Sequence, residues 1–243
     1  MQIYVDKIFL DNYVEEISTR FNYEIVFEKP YTKNYLIYDT NGLSFIIGMN
    51  NTTKLINVNF MSGKLGWRLK RADHESNLKK ALGRTKNPLV IFDATAGLLS
   101  DSMIFLSLGH KVVAVEQSKI IFLLVDDAIK RAKNEIPFLK NINLINANSL
   151  DIYKSSQELF DIVYLDPMYP ISKKNIKKSG DLDSLRSILE IENILYEENS
   201  LINSFMEEDY QKLILKRPLK AKKLNSNINY QVKGKSTRFD IYL

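Results

Sequence analysis

Two periodicities divide the chain. Over residues 1–60 apolar and polar positions alternate: NYEIVF and NYLIYD set aromatic or β-branched residues against polar ones, and FIIGM and KLINVNF follow. A period near two predicts strands with one buried face. Between YLIYD and LSFIIGM stands Thr40-Asn41-Gly42, and Asn-Gly signals a tight hairpin because both residues tolerate positive φ. A small β-rich sheet of hairpins is expected here.

Past residue 88 the pattern changes class. LVIFDATAG is an apolar run ending in small residues, which suits a strand buried on both faces. SDSMIFLSLG reads as a helix closed by Gly109, KVVAVEQ as a second strand, SKIIFLLVDDAIKRAKNE as a longer helix, INLINANSL as a third strand and FDIVYLDP as a fourth. A helical stretch over about 182–208, the strand YQKLILKRP, and a closing pair INYQVKG and STRFDIYL complete the chain. Strands alternating with helices predict an α/β fold with a doubly wound, mostly parallel, Rossmann-like sheet. Between the two patterns lies MSGKLGWRLKRADHESNLKKALGRTKNP, predicted helical from about Arg71 to Leu82 and closed by Gly83 and Pro88. The expected organisation is a β-rich domain over 1–62, a helical connector over 63–84 and an α/β domain over 85–243.

Composition narrows the chemistry. The chain lacks cysteine and has two histidines, His74 and His110, so no disulfide framework, metal site or Ser-His-Asp triad is expected. There is no run of 18 apolar residues, and the opening MQIYVDKIFLDNYVEE has no basic leader region. No membrane segment or secretory signal is expected, and cytoplasm is the expected compartment. The net charge of +5 is unevenly spread: residues 1–60 carry −2 and residues 61–84 carry +5. A basic stretch beside a neutral-to-acidic core has two readings, a surface that meets a phosphate backbone or a lysine-rich solvated face.

Chemistry is expected where the predicted strands end, because open α/β sheets bind ligands beyond the carboxyl ends of their strands. The first ends in Asp93-Ala94-Thr95-Ala96-Gly97, a turn of small residues matching neither G-x-G-x-x-G nor the P-loop. It offers no phosphate cradle and fits a ligand without phosphates, such as S-adenosylmethionine; a plain strand-to-helix turn is the alternative. Glu116 ends the second strand, 23 residues after Asp93, where an acid can accept ribose hydroxyls. Asn148 and Ser149 follow the third strand, in position to bond an adenine edge or to serve as ordinary loop residues.

The most specific motif is Asp166-Pro167-Met168-Tyr169-Pro170 after the fourth strand, similar to the D/N-P-P-Y/F signature of methyltransferases that act on amino groups. The lone pair of an aromatic amine is delocalised into its ring. If Asp166 and the Pro167 carbonyl accept the two N–H hydrogens, that lone pair is held toward the methyl donor. Proline stiffens the loop, and Tyr169 can stack on an extruded base. His110 reads as structural. Trp67, among Lys64, Arg68, Lys70 and Arg71, either meets RNA or is buried between the domains.

WRLKRADHESNLKKALG, DATAGLLSD, VVAVEQS, LINANSL, VYLDPMYP, LILKRP and STRFDIY together resemble the ribosomal small subunit methyltransferase J family, bacterial enzymes that methylate the N2 amine of a guanine in 16S ribosomal RNA. The resemblance covers most of residues 67–243 and implies a class I methyltransferase fold. It implies S-adenosylmethionine as cofactor and 16S ribosomal RNA or the small ribosomal subunit as partner. Carried over residue by residue, the cofactor pocket would use Gly97, Ser100, Asp101, Glu116, Gln117, Asn148, Ser149 and Asp166. Leu99 and Ser100 stand where the family has glycine and arginine, and Gln117 where it has a second arginine. Lys173, Lys174, Lys177, Lys178, Lys216 and Arg217 are the expected contacts to the RNA backbone. Two alternatives remain: an amino-methyltransferase acting on adenine or DNA, and a non-catalytic RNA-binding or ribosome-assembly module with a decayed cofactor pocket.

Overall fold

The computed structural model describes residues 1–49, 52–168, 180–194, 198–224 and 227–243. Its first sheet has five strands, β1 (Gln2–Val5), β2 (Glu24–Val26), β3 (Asn34–Asp39), β4 (Gly42–Met49) and β5 (Thr52–Asn57), in the order β2-β1-β3-β4-β5. The Asn-Gly turn joins β3 to β4 as expected. Gly42 has φ +83°, and the Asp39 carboxylate accepts the Asn41 N–H at 2.7 Å.

The sheet is not made of hairpins throughout. β1 lies between β2 and β3 and runs parallel to both, and the crossover from β1 to β2 includes a helix the alternation gave no sign of, α1 (Asn12–Phe21). Only Val14 and Ile17 of α1 are buried, so its apolar stripe is too thin to stand out from the aromatic pattern around it. Local chemistry sets its ends: the Asp11 carboxylate accepts the Val14 N–H at 3.0 Å, and Asn22 closes it at φ +54°.

Two short helices follow, α2 (Gly63–Lys70) and α3 (Ser76–Leu82), separated by a 3-10 turn at Ala72–His74. The helix expected over Arg71–Leu82 therefore starts later, and the residues before it form a helix of their own. The Arg68 guanidinium donates to the Glu75 carboxylate at 2.6 Å across the break, and Gly83 ends α3 with φ +89°.

The second sheet is the Rossmann-like one. Its strands are β6 (Val90–Asp93), β7 (Lys111–Glu116), β8 (Ile142–Asn146), β9 (Ile162–Leu165), β10 (Leu213–Pro218), β11 (Tyr230–Lys233) and β12 (Thr237–Tyr242), ordered β11-β12-β10-β9-β6-β7-β8. Strands β6 to β10 are mutually parallel, and β12 pairs antiparallel with β10 and β11. The helices are α4 (Ser102–Ser107), α5 (Lys119–Ala132), α6 (Ser149–Ser155), α7 (Gly180–Ile191) and α8 (Glu198–Met206). Strand β8 stops short of the predicted INLINANSL: Asn148 accepts the Leu150 and Asp151 N–H groups at 2.9 and 3.3 Å and starts α6. The chain leaves β6 for β7 on one side and returns to β9 on the other, so the switch point of the winding lies between β6 and β9.

One apolar cluster runs from the small sheet (Ile3, Leu36, Phe45) through α5 (Ile121, Leu124, Val125) into the large one (Ile91, Val112). The junction is tight at Gly42, where a Cβ would lie 2.3 Å from Arg131 Nε and 2.5 Å from Asp127 Oδ2. Arg131 pairs with Asp127 at 2.7 Å and donates to the Val58 carbonyl at 2.6 Å. Among the described residues no helix is long and apolar enough to cross a membrane.

The closing pair is held by a buried charge. Arg238, 3% exposed, pairs with Asp240 at 2.9 Å and donates to the carbonyls of Pro218, Leu219 and Ala221 at 3.2, 2.9 and 2.7 Å. Arg238→Ala leaves the Asp240 carboxylate buried without its cation, a change that costs about 3–5 kcal/mol. Thermal unfolding of the variant is expected roughly 6–20 °C below wild type; a drop of less than about 2 °C would show the pair to be dispensable.

Candidate active site

Three adjacent parallel strands, β9, β6 and β7, end beside or at a carboxylate: Asp166, Asp93 and Glu116. The space beyond them is a cavity of about 790 Å³, within the range of small-molecule sites. The strand ends and the turns after them form one wall. Asn57–Asn59 and Ser62–Leu65 form a second, and Leu185, Leu189, Ile194 and Leu201 close the apolar side. Glu192, just past α7, accepts the Lys119 and Ile120 N–H groups at 3.0 and 3.3 Å and the Ser118 hydroxyl, tying α7 to the start of α5.

The turn after β6 is built by its own side chains. Asp93 accepts the Thr95 N–H at 3.1 Å and the Ser102 hydroxyl. Thr95 Oγ1 accepts the Asp166 N–H at 2.7 Å, joining this turn to the one after β9. Gly97 sits at φ +50°, with nothing but the Thr95 carbonyl within 4 Å of where a Cβ would stand. Leu99 also has a left-handed backbone, φ +58°, and is fully buried. The left-handed region costs a non-glycine residue about 1–2 kcal/mol, an amount that burial of the leucine side chain offsets. Its side chain belongs to the core cluster and not to the cavity wall, so the leucine in place of glycine does not fill the pocket.

Glu116 is held by two backbone donors, Gly97 N–H to Oε2 at 2.9 Å and Ser118 N–H to Oε1 at 2.8 Å. Each oxygen keeps a lone pair for a further donor. Burial pushes this carboxyl up to about 7 despite the two N–H bonds, and burial likewise pushes Asp93 up to about 7.

An ionic chain crosses the opposite side. Lys216 Nζ lies 2.8 Å from Asp101 Oδ2 and 2.6 Å from Asp166 Oδ2, and Arg68 Nη2 lies 2.6 Å from Asp101 Oδ1. Tyr164 donates its hydroxyl to Asp101. Arg68 also donates to the Ser100 carbonyl at 2.7 Å. Burial disfavours the Asp101 charge, yet Lys216 and Arg68 hold its carboxyl below the ordinary range. Burial pushes Asp166 up to about 6, against the pull of Lys216, and the Asp101 charge adds to the rise. Lys216, between two carboxylates, is held above the ordinary lysine range although burial opposes it.

All eight residues expected around a cofactor, Gly97, Ser100, Asp101, Glu116, Gln117, Asn148, Ser149 and Asp166, line this one cavity, as does Met168. Asn148 uses its side-chain oxygen to cap α6, which leaves the amide donor for other contacts. Pro167, between Asp166 and Met168, is buried and is not among the residues that line the cavity, and Tyr169, Lys173, Lys174, Lys177 and Lys178 lie outside the described residues. His110 is structural, its Nδ1 accepting the Leu89 N–H at 3.1 Å. Among the described residues no three histidine or acidic side chains are grouped to hold a metal.

Three expectations need correction. Lys216 is not a surface cation for an RNA backbone, because its ammonium is held between the Asp101 and Asp166 carboxylates. Arg217 is only 6% exposed, since it sits on a strand flanked on both sides in the sheet. Trp67 is not buried between the sheets: it is 64% exposed, with the Arg71 guanidinium 5.0 Å from its ring centroid. Sequence reasoning also missed the roles of Arg68 and Lys216. A lysine after the apolar run LIL in a central strand was the available signal, since such a cation needs a buried partner.

Comparison with known proteins places the chain among SAM-dependent methyltransferases. A family model described as putative SAM-dependent methyltransferase matches residues 17–243. Ribosomal RNA small subunit methyltransferase J of Francisella tularensis subsp. novicida is 31% identical, over 100% of this chain and 99% of its own length. The same-named protein of Francisella philomiragia is 31% identical over 86% of this chain and 87% of its own. The crystal structure of a SAM-dependent methyltransferase from Neisseria gonorrhoeae superposes with a TM-score of 0.74 at 27% identity, covering 100% of this chain and 96% of that one.

The raised Asp93 carboxyl has a consequence for stability. The unfolded chain releases this proton near pH 4 and the folded chain near 7, so between those values the folded state binds more protons and loses stability as pH rises. Asp93→Asn keeps an acceptor for the Thr95 N–H and has no proton to lose. Relative to wild type, its unfolding free energy from urea titration is expected to rise by on the order of a few kcal/mol between pH 5 and 8. A difference that stays constant over that range would refute the assignment.

Proposed function

Since the chain belongs to the ribosomal RNA small subunit methyltransferase J family of SAM-dependent methyltransferases, we propose that it methylates the N2 exocyclic amine of a guanine in 16S ribosomal RNA. The observation that carries the reading is the Asp166 carboxylate at the cavity rim, fixed on one side by Lys216 and followed by Pro167. Bound S-adenosylmethionine supplies a methyl group activated by its sulfonium. The cavity fits such a ligand: it has an acid with unused lone pairs at Glu116, small residues at Ala94, Ala96 and Gly97, and an amide donor at Asn148. Glu116 would hold the ribose, Asn148 and Ser149 the adenine edge, and Gly97, Ser100, Asp101 and Gln117 would complete the pocket.

The protein's part in the reaction is positioning. Asp166 Oδ2 is taken by Lys216, which leaves Oδ1 to accept one N–H of the guanine amine, while the Pro167 carbonyl accepts the other. Held at both hydrogens, the amine presents its lone pair toward the methyl donor. The proton released on N-methylation has Asp166 Oδ1 as an acceptor. Tyr169 would stack on the extruded base. A ribosomal RNA substrate implies action in the cytoplasm, on free 16S RNA or on the small subunit. The decayed-pocket alternative loses its motive with Leu99, whose side chain packs into the core, and Arg68 reaches the Ser100 carbonyl where the family's arginine is missing.

Transfer of labelled methyl to small ribosomal subunits from a strain lacking this gene tests the reading. Label is expected in 16S RNA as N2-methylguanine, with Asp166→Ala lowering the rate about 100-fold or more. Label in adenine or in DNA would move the assignment to those substrates, and absence of transfer would refute it.

The pH profile tests Lys216. Asp166 must be ionised to accept the N–H, so activity is expected to rise with pH through its pKa of about 6. Removing the neighbouring cation in Lys216→Met should move that acid limb upward by about 1–3 units, and Lys216→Arg should restore it. An unmoved limb would mean that Asp166 is not the titrating group.

A further inference from the structure

Helix α2 has two faces of different character. Leu65 and Leu69, one turn apart, pack against the core cluster, and buried Gly66 lies against the backbone of Met61, where a Cβ would be 2.5 Å from its carbonyl carbon. Arg68 is pinned by Glu75, Ser100 and Asp101. These contacts fix the rotation of the helix, and the other face points outward with Trp67, Lys70 and Arg71 exposed.

We propose that Trp67 and Arg71 form a stacking platform for an unpaired base of the RNA, next to the nucleotide that enters the cavity. The inference rests on the RNA reading above and adds a site to it. Trp67 stands one residue from cavity-lining Arg68 and less than one turn from cavity-lining Lys64. A platform there meets a neighbour of the target nucleotide and not a distant segment. When a base leaves its stack, its neighbours lose a stacking partner, and an exposed indole flanked by cations replaces one.

Charge selects the partner. Residues 61–84 carry a net +5, and their two acids are already paired, Asp73 with Lys79 at 3.2 Å and Glu75 with Arg68 at 2.6 Å. Lys70 and Arg71, both exposed, make the outward face positive, complementary to phosphates. Arg71 over the indole presents a flat cation to the same nucleotide.

Trp67 is the only tryptophan of the chain, so intrinsic fluorescence reports on it alone. Titration of the full chain with a short single-stranded RNA is expected to quench the indole to saturation, whereas heparin, a polyanion without bases, leaves it nearly unchanged. Trp67→Ala should weaken that RNA about 5- to 100-fold, and Trp67→Phe should recover most of the loss. In methyl transfer to small subunits, Trp67→Ala should raise KM with kcat little changed and the melting temperature unmoved. Equal quenching by heparin, no quenching at saturating RNA, or an unchanged KM would overturn the platform. Quenching by ribosomal proteins but not by RNA would overturn it in favour of a protein contact. If the wild type methylates small subunits while the fluorescence stays silent, only the platform fails; if it methylates no RNA, the function proposed above fails by a separate measurement.

Discussion

Parallel strands that end together bring their last side chains together, and in this chain that puts acids side by side. Asp166, Asp93 and Glu116 follow or end β9, β6 and β7, and Asp101 enters the same space from the start of α4. Four carboxylates around one cavity repel one another and resist burial, so each needs a separate solution. Asp101 takes two cations, Asp166 shares one of them, Glu116 takes two backbone N–H groups, and Asp93 takes an N–H and a hydroxyl. A separate bond, from the Asp166 N–H to Thr95 Oγ1, ties the β6 and β9 turns together.

The cations come from opposite ends of the chain. Lys216 lies on β10, after the α7–α8 excursion, and Arg68 on α2, which follows the small N-terminal sheet. Arg68 makes that early segment part of the cavity: Asn57–Asn59 and Ser62–Leu65 line it, and the small sheet is docked through Gly42 and Arg131 onto α5, which starts beside Glu116. The N-terminal sheet therefore does more than cover a surface. A shift of α2 would withdraw a cation from Asp101 and a wall from the pocket at once.

Much of this was legible in the residues. The change from period-two alternation to long apolar runs gave the strands of the Rossmann-like sheet, because strands buried on both faces have no room for polar interruptions. DATAG, Glu116 and DPMY stood out because they fall together at the carboxyl ends of apolar runs, where an open α/β sheet binds its ligand. Helix α1 stayed hidden because it buries two residues, and α6 because its start is a capping bond of Asn148 and not a hydrophobic pattern. The roles of Lys216 and Arg217 were hidden for a different reason. Both read as surface cations by composition, and only pairing across the sheet reveals which side each one faces.

Stability alone does not account for the ionic chain. A buried ion pair replaced by well-packed apolar residues is often neutral or more stable, and Lys216 between two acids is an arrangement a core optimised for stability has no need of. The positive φ of Leu99 points the same way, since the turn accepts a strained backbone while keeping its side chain out of the cavity. In the proposed reaction both features have a use. Asp166 must carry its charge where burial and Asp101 oppose it, and a cation shared by the two acids keeps that charge and holds one oxygen still. The other oxygen is then left at the rim, free to accept a hydrogen bond from an amine. The same geometry requires Asp101 to stay ionised, or Lys216 would turn wholly to Asp166 and lower its capacity as a proton acceptor. Arg68 meets that requirement from the far side, so the helix that carries Trp67 outside also sets, through Asp101, the charge balance within.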